Sequence, residues 1–485
     1  MFLHRNNTDG RKKLRFYSKM RLLTSTNAKC SSGYVIKISG ALSVLLVLGA
    51  AFAQQMPGIE QKASAEIQAG ELHSAVQLLR DALQQQPNNV ELWNLLGIAE
   101  TELHDGNAAA SAFQRGLQLA PDSVSLHENL GFLYYQHADY VNARKYLEQA
   151  IKLGSTKPGV LFSLAASKLR TEDQAQAVSE LKSLEPALKA SPDYWEERGR
   201  AELNGDPVAA EHSFERALDL APKNLTALNG AAASAEKQKL DEKALSYLIK
   251  ARTVAPDDVP TLIHFGAVCI RRDLGQDAVN ALTKAHRLEP SNNSALYLLA
   301  RANISMENWQ QSYDLFDQFS KRVPNFAATY YAMGWLDIKL NRLDDAQRQL
   351  EHCLSLDARM QDARYELAKL KLDDGQLDSA ENLLKIVLKA RPEHAKANMT
   401  MGDLMMRRGN LQQAKTYLET AVRKDPKLAA AHYKLSTLFF REHNTEQGEK
   451  ERTIAVNLNA AANRASKTEL RLVLPEAAIS SALPE

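Results

Sequence analysis

Residues Val259–Asn292 read VPTLIHFGAVCIRRDLGQDAVNALTKAHRLEPSN, and the apolar spacing changes partway along. Leu262, Phe265, Gly266 and Cys269 fall at i, i+3, i+4 and i+7, which is one face of a helix. Asp273-Leu274-Gly275-Gln276 breaks that pattern, and Ala278, Leu282 and Ala285 then mark the face of a second helix. Pro290 stops the chain before the pattern begins again. The stretch predicts two helices joined by a tight turn.

The same unit recurs along the chain. Pro87 and Pro121 are 34 residues apart, as are Pro222, Pro256, Pro290 and Pro324, and the phase resumes at Pro392 and Pro426. Eight of the 16 prolines share this phase, too many for coincidence. A second series runs Gly97, Gly131, Ala165, Gly199, Ala232, Gly266, Ala300, Gly334, Ala368, Gly402. A third runs Ala109, Ala143, Ala177, Ala210, Ala244, Ala278, Ser312, Ala346, Ala380, Ala414. Fixed self-similarity at this spacing specifies a repeat architecture. Small residues recur because helices packed about 8–10 Å apart leave no room for bulk at closest approach.

The pattern resembles the tetratricopeptide repeat, W-x2-L-G-x2-Y followed by A-x3-F-x2-A and a closing proline. Trp93, Leu96, Gly97, Ala109, Phe113 and Pro121 carry it in the second unit, and Leu130, Gly131, Tyr134, Ala143 and Ala150 in the third. Gly402, Ala414, Ala421 and Pro426 carry it later. The resemblance covers about twelve units between Met56 and Ala460. It implies an all-α solenoid, a right-handed superhelix whose first helices line a concave groove. Ile59 and Ala63 in the first unit, and Gly448 and Arg452 in the last, depart from the motif as capping units do. The fifth unit is one residue short, with the deletion in Asn204-Gly205-Asp206-Pro207. Pro186 interrupts the helix before it.

The remaining chain divides by charge. Nine of the 60 Lys and Arg residues, but one of the 58 Asp and Glu residues, lie in residues 1–53. Residues 54–485 therefore hold 51 basic and 57 acidic side chains, a net charge of −6. That balance argues against a nucleic-acid partner, which calls for a concentrated basic surface. The basic stretch leads into the apolar run ALSVLLVLGAAFA, Ala41 to Ala53, ending in the small-x-small pattern Ala51-Phe52-Ala53. This is the layout of a signal peptide, with 1–53 removed after Ala53 and an uncleaved membrane anchor as the alternative. Residues 54–460 are then the superhelix, and 461–485, with Pro475 and Pro484, a loosely ordered tail. The expected location is a bacterial periplasm or the exterior. Cys269 and Cys353 fall in different units, too far apart to bridge, and are expected as free buried thiols.

No HExxH, CxxC, P-loop, GxSxG or GxGxxG stretch sits in a suitable context. No catalytic residue, metal ligand or cofactor is therefore assigned, and the chain is read as a non-enzyme. His127 and His432 hold the position of Trp93 and are expected as partly buried repeat residues. Function in such an array falls on the groove, with another protein or peptide as the partner. The residue after the Trp position reads Tyr297, Tyr331, Tyr365, Met399, Tyr433 in successive units, and four further on the series reads Arg301, Trp335, Lys369, Asp403, Thr437. Candidate groove residues are Tyr297, Arg301, Tyr331, Trp335, Tyr365, Lys369, Met399 and Tyr433, with the basic members favouring an acidic ligand. The tyrosine row has a plainer reading as packing between first helices. Tyr330, at the Trp position, is expected in the core. The clamp by which chaperone-binding members of the resembled family hold a terminal carboxylate is absent, because the matching positions hold Tyr297 and Arg301, Ala332, and Asp362 and Glu366. A competing class is polysaccharide export or envelope assembly, in which aromatic rows stack on sugars.

Overall fold

The computed structural model describes residues 58–171 and 174–465, and these hold 25 helices and no strand. The expected signal segment 1–53 lies outside the described residues. Helices alternate as first and second members of twelve successive units, from Ile59–Ala69 and Leu72–Gln85 to Ala429–Arg441 and Thr445–Ala465. The extra helix is the single turn Glu185–Leu188, which follows Gln174–Ser183 where Pro186 interrupts the pattern. The last helix runs to Ala465, past the boundary expected at 460, and the rest of the tail lies outside the described residues. Two compact units result, one up to Gln238 and one from Lys239. Each is an all-α repeat solenoid.

The small-residue series marks where paired helices touch. A Cβ added to Gly266 would lie 2.5 Å from Leu282 Cγ, with the same clash at Gly97 against Phe113 and at Gly402 against Leu418. Real Cβ atoms do not come that close, so the pairs are closed to any larger side chain. The partner residue, sixteen places on, is fully buried from Leu147 through Leu282 and Phe316 to Leu418.

A second periodic contact ties each unit to the turn before it. Trp93, His127, Trp195, Tyr330, Arg364, Asn398 and His432 share one repeat position, and the polar tip of each bonds the backbone carbonyl six residues earlier. The distances are 2.8 Å at Trp93, 2.9 Å at Tyr330 and 3.0 Å at His432. A carbonyl can only accept, so Nε2 of both histidines carries the proton in this contact. Tyr330 is corrected here. It is half-buried rather than core, its ring edge-on to His352 at 4.3 Å.

The turns inside the units also repeat. His104, Ala138, Lys239, Asp273, Glu307, Asn341 and His443 all have φ between 57° and 64°, and Gly70, Gly375 and Gly409 take the same place with positive φ. The next amide closes a six-to-one bond onto the first helix, as from Arg342 N to Asp337 O at 2.8 Å. This is the left-handed helix stop. The fifth unit lacks the left-handed residue altogether, and Asp206 N bonds Glu202 O directly at 2.8 Å. The deletion read from the sequence is the loss of that one residue.

Ion pairs cluster around this irregular unit. Lys168 meets Glu180 at 2.6 Å, Arg170 meets Glu197 at 2.8 Å, and Arg198 bridges Glu185 and Glu202. The carboxylates hold the half-buried arginines protonated, offsetting the desolvation that opposes their charge. Cys269 and Cys353 are buried and free, and burial pushes both thiols up to about 12. Neither is poised to react. Among the described residues no helix is long and apolar enough to cross a membrane.

Candidate protein-binding face

The first helices Asn293–Ser305, Ala327–Lys339 and Gln361–Asp373 carry most of the expected groove residues, all within the unit that begins at Lys239. The structure does not bring these residues together as one exposed row. Tyr297 is 7 % exposed, with its ring 5.3, 5.0 and 5.6 Å from Phe316, Phe319 and Phe326. Tyr365 is 8 % exposed, its ring against His394 at 5.2 Å and its hydroxyl 3.5 Å from Thr400. Met399 is half-buried within the cluster around Met401 and Leu404.

Tyr433 is the exception at 62 % exposed. The contrast has one cause. Phe326, His394 and Thr400 belong to the unit following the tyrosine they cover, and Tyr433 stands on the last first helix. The row is therefore mainly packing between units, which corrects the exposed aromatic row at Tyr297 and Tyr365. Tyr331 is intermediate, half-buried against Leu367 and Ala363, and burial together with Glu366 and Asp362 raises its phenol well above the ordinary range.

Trp335 behaves differently. It is half-buried, its indole 5.5 Å from that of Trp309 at 75°, with Lys339 Nζ 4.9 Å over the ring. Trp309 opens the second helix Trp309–Arg322 of the preceding unit, so the pair spans two units. The sequence pattern did not pair Trp309 with Trp335. Lys369 is exposed, with Nζ 3.7 Å from Glu366. Arg301 is half-buried and makes no hydrogen bond or ion pair among the described residues.

On the same helix, Asp337 is 0 % exposed, and neither carboxylate oxygen has a hydrogen-bond partner. Arg342 stays 3.8 Å away because its guanidinium bonds Gln310 and lies over the Tyr313 ring at 5.5 Å. Burial, reinforced by Asp345, raises the Asp337 carboxyl to about 6.

Comparison with known proteins adds the following. Residues 50–195 match the family described as the TPR domain of cytochrome c-type biogenesis protein H. Residues 203–258, 294–325, 337–404 and 371–438 match families described as tetratricopeptide repeat. A curated relative is the formate-dependent nitrite reductase complex subunit NrfG of Escherichia coli O157:H7, 30 % identical over 106 residues, which is 21 % of this chain and 54 % of the relative. The chain thus spans about half the length of that relative. Among solved structures, YrrB, described as a TPR protein with an unusual peptide-binding site, is 18 % identical, with 37 % of this chain and 93 % of that chain covered and a TM-score of 0.33. Cut9–Hcn1 of the APC/C is 13 % identical, with 82 % and 99 % covered and a TM-score of 0.43. With family matches in phase with the period of 34, this chain belongs to the tetratricopeptide-repeat proteins.

Proposed function

We propose that the chain is an exported, non-enzymatic scaffold that holds a polypeptide partner against its first helices during the assembly of c-type cytochromes. The carrying observation is the half-buried Trp309–Trp335 pair with Lys339 over the Trp335 ring, on first helices where Tyr297 and Tyr365 are consumed by packing and Tyr433 stands open. A rigid indole propped by a second one is the form of anchor that dominates interfaces. The match of residues 50–195 to a cytochrome c-type biogenesis family, and the likeness to a subunit of a nitrite reductase complex, support the assembly role. The basic stretch and the apolar run Ala41 to Ala53 support export.

The test is calorimetric titration of the purified chain with a haem-free c-type cytochrome. Binding that Trp335→Ala weakens about tenfold or more is expected. No binding overturns the cytochrome role, and binding indifferent to Trp335 overturns the site.

A further inference from the structure

The dipeptide Asn-Gly occurs twice in the chain, as Asn204-Gly205 and as Asn229-Gly230, and the fold treats the two oppositely. Asparagine before glycine is prone to react with its own backbone, because glycine has no side chain to hold the next nitrogen away from the asparagine amide. Asn229-Gly230 lies inside the helix Leu225–Lys237, where a Cβ on Gly230 would already press on the Phe214 ring at 2.4 Å. Rigid helical backbone and close packing leave no room for a ring to form there.

Asn204-Gly205 lies in the turn between the helices Pro192–Glu202 and Pro207–Leu220, and both residues are exposed. Nothing stands within 4 Å of the place a Gly205 Cβ would take. The Asn204 side chain makes no hydrogen bond among the described residues. Two amides share the Glu202 carbonyl, Gly205 N at 3.1 Å and Asp206 N at 2.8 Å. Asp206 keeps the shorter bond when Gly205 N turns away, so that nitrogen is released without opening the turn.

We propose that Asn204-Gly205 is a self-modification site, which converts Asn204 to isoaspartate and lengthens the short turn of the fifth unit. The Gly205 nitrogen gives up its proton and bonds Asn204 Cγ. The Cγ–Nδ2 bond breaks, ammonia leaves with that proton, and a succinimide remains. Water opens the ring at either carbonyl. Opening at Cγ leaves aspartate. Opening at the former backbone carbonyl leaves isoaspartate, with the main chain running through Cβ and Cγ and the α-carboxylate hanging free. Water enters, ammonia departs, and nothing is oxidised or reduced.

The location gives this reaction a consequence. The fifth unit lacks the left-handed residue that stops first helices elsewhere, and isoaspartate returns one main-chain carbon of that missing length. The added carbon displaces Asp206, whose amide closes the turn on Glu202 and whose carboxylate caps Ala209 N at 3.0 Å. The new carboxylate also stands at the negative end of the helix that finishes at Glu202, where an anion is disfavoured. Modification therefore loosens the junction of these two helices.

The test incubates the full chain in warm, mildly alkaline buffer and follows it over days. Peptide mapping by electron-transfer fragmentation reads the product, and an isoaspartyl methyltransferase supplied with S-adenosylmethionine labels it independently. Isoaspartate is expected to accumulate at residue 204, faster as pH rises because the deprotonated amide is the nucleophile, while Asn229 stays an amide. Gly205→Ala fits the open turn and should slow conversion about tenfold or more, since a side chain restricts the near-attack geometry. In aged protein the Asp206 and Ala209 amides should exchange hydrogen several-fold faster than in fresh protein or in aged Asn204→Gln. An unmodified residue 204, equal conversion at 204 and 229, or a rate that Gly205→Ala leaves unchanged overturns the site. Conversion with unchanged exchange at Asp206 and Ala209 keeps the site and overturns the loosened turn.

Discussion

Trp309 and Trp335 meet edge to face across two repeat units, their centroids 5.5 Å apart, and neither belongs to the buried core. The pair holds both indoles half-buried against each other. Aromatic pairs of this geometry contribute about 0.5–1.5 kcal/mol. Trp335→Ala should therefore lower stability by roughly that amount, while weakening partner binding by about 2 kcal/mol or more. Trp309→Ala should weaken binding less, by loosening the anchor. Thermal melts beside titrations of all three proteins check this. A stability loss in Trp335→Ala equal to that of a core truncation would place the indole in the fold instead.

Tyr330 and Tyr331 divide differently from the simple alternation of core and groove. Tyr330 closes the Pro324 carbonyl at 2.9 Å. Tyr330→Phe should cost about 1 kcal/mol, the usual net worth of one hydrogen bond. The full truncation Tyr330→Ala should fall short of the loss at a buried aromatic such as Phe316. Urea midpoints of the three variants give the order.

Asp337 makes stability depend on pH. Its folded-state carboxyl sits near 6, above the ordinary 3.8, so the native chain binds a proton that the unfolded chain has released. Below pH 3.8 both states are protonated and the residue has no effect. Between about 4 and 6 stability falls as pH rises, and above 6 the full cost of the buried charge remains. That cost is about 2–3 kcal/mol by the size of the shift. Asp337→Asn should raise stability by about 1–3 kcal/mol at pH 7.5 and flatten the profile between pH 4 and 6. Denaturant melts across that range measure both effects. An unchanged slope would show that the carboxylate has a partner in solution.

Gly266 tests the helix register. The added Cβ of Gly266→Ala would have to displace Leu282, and overpacking of this kind costs about 1–3 kcal/mol. Larger side chains at Gly266 or at the equivalent Ala300 should cost more, and neighbouring units should open before distant ones. Hydrogen exchange resolves that spread.

Ala138 holds a left-handed turn at φ 58°, a conformation that glycine adopts without strain. Ala138→Gly should stabilise by about 0.5–1 kcal/mol, since relief of the strain exceeds the added chain entropy. Gly375→Ala, at φ 77°, should do the reverse. Opposite shifts in thermal midpoint are the expected result.

The fold was legible because a period of 34 residues is written into the small residues and prolines that every helix pair needs. The face was less legible. Tyr297 and Tyr433 hold the same repeat position, yet one is enclosed and the other open, because a following unit covers only the first. A local pattern carries no record of what the next unit will cover. The joining of Trp309 to Trp335, and the isolation of Asp337, depend likewise on packing between units. Arg301 was readable as basic, but its lack of an acid becomes visible only when every neighbour is in place.

The left-handed stop gives the array a grammar of exchange. Glu307 and Asn341 enter the turn at the same dihedral, 57° and 58°, so the chain leaving one is interchangeable with the chain leaving the other. Joining Glu307 directly to Arg342 would excise one whole unit and bring matching ends together. Duplication at the same point would insert one. The fifth unit, which turns through Asp206 without the left-handed residue, has no counterpart among the described turns to be joined to. Units with the common stop can be traded, gained or lost, while the fifth is fixed in its place along the chain.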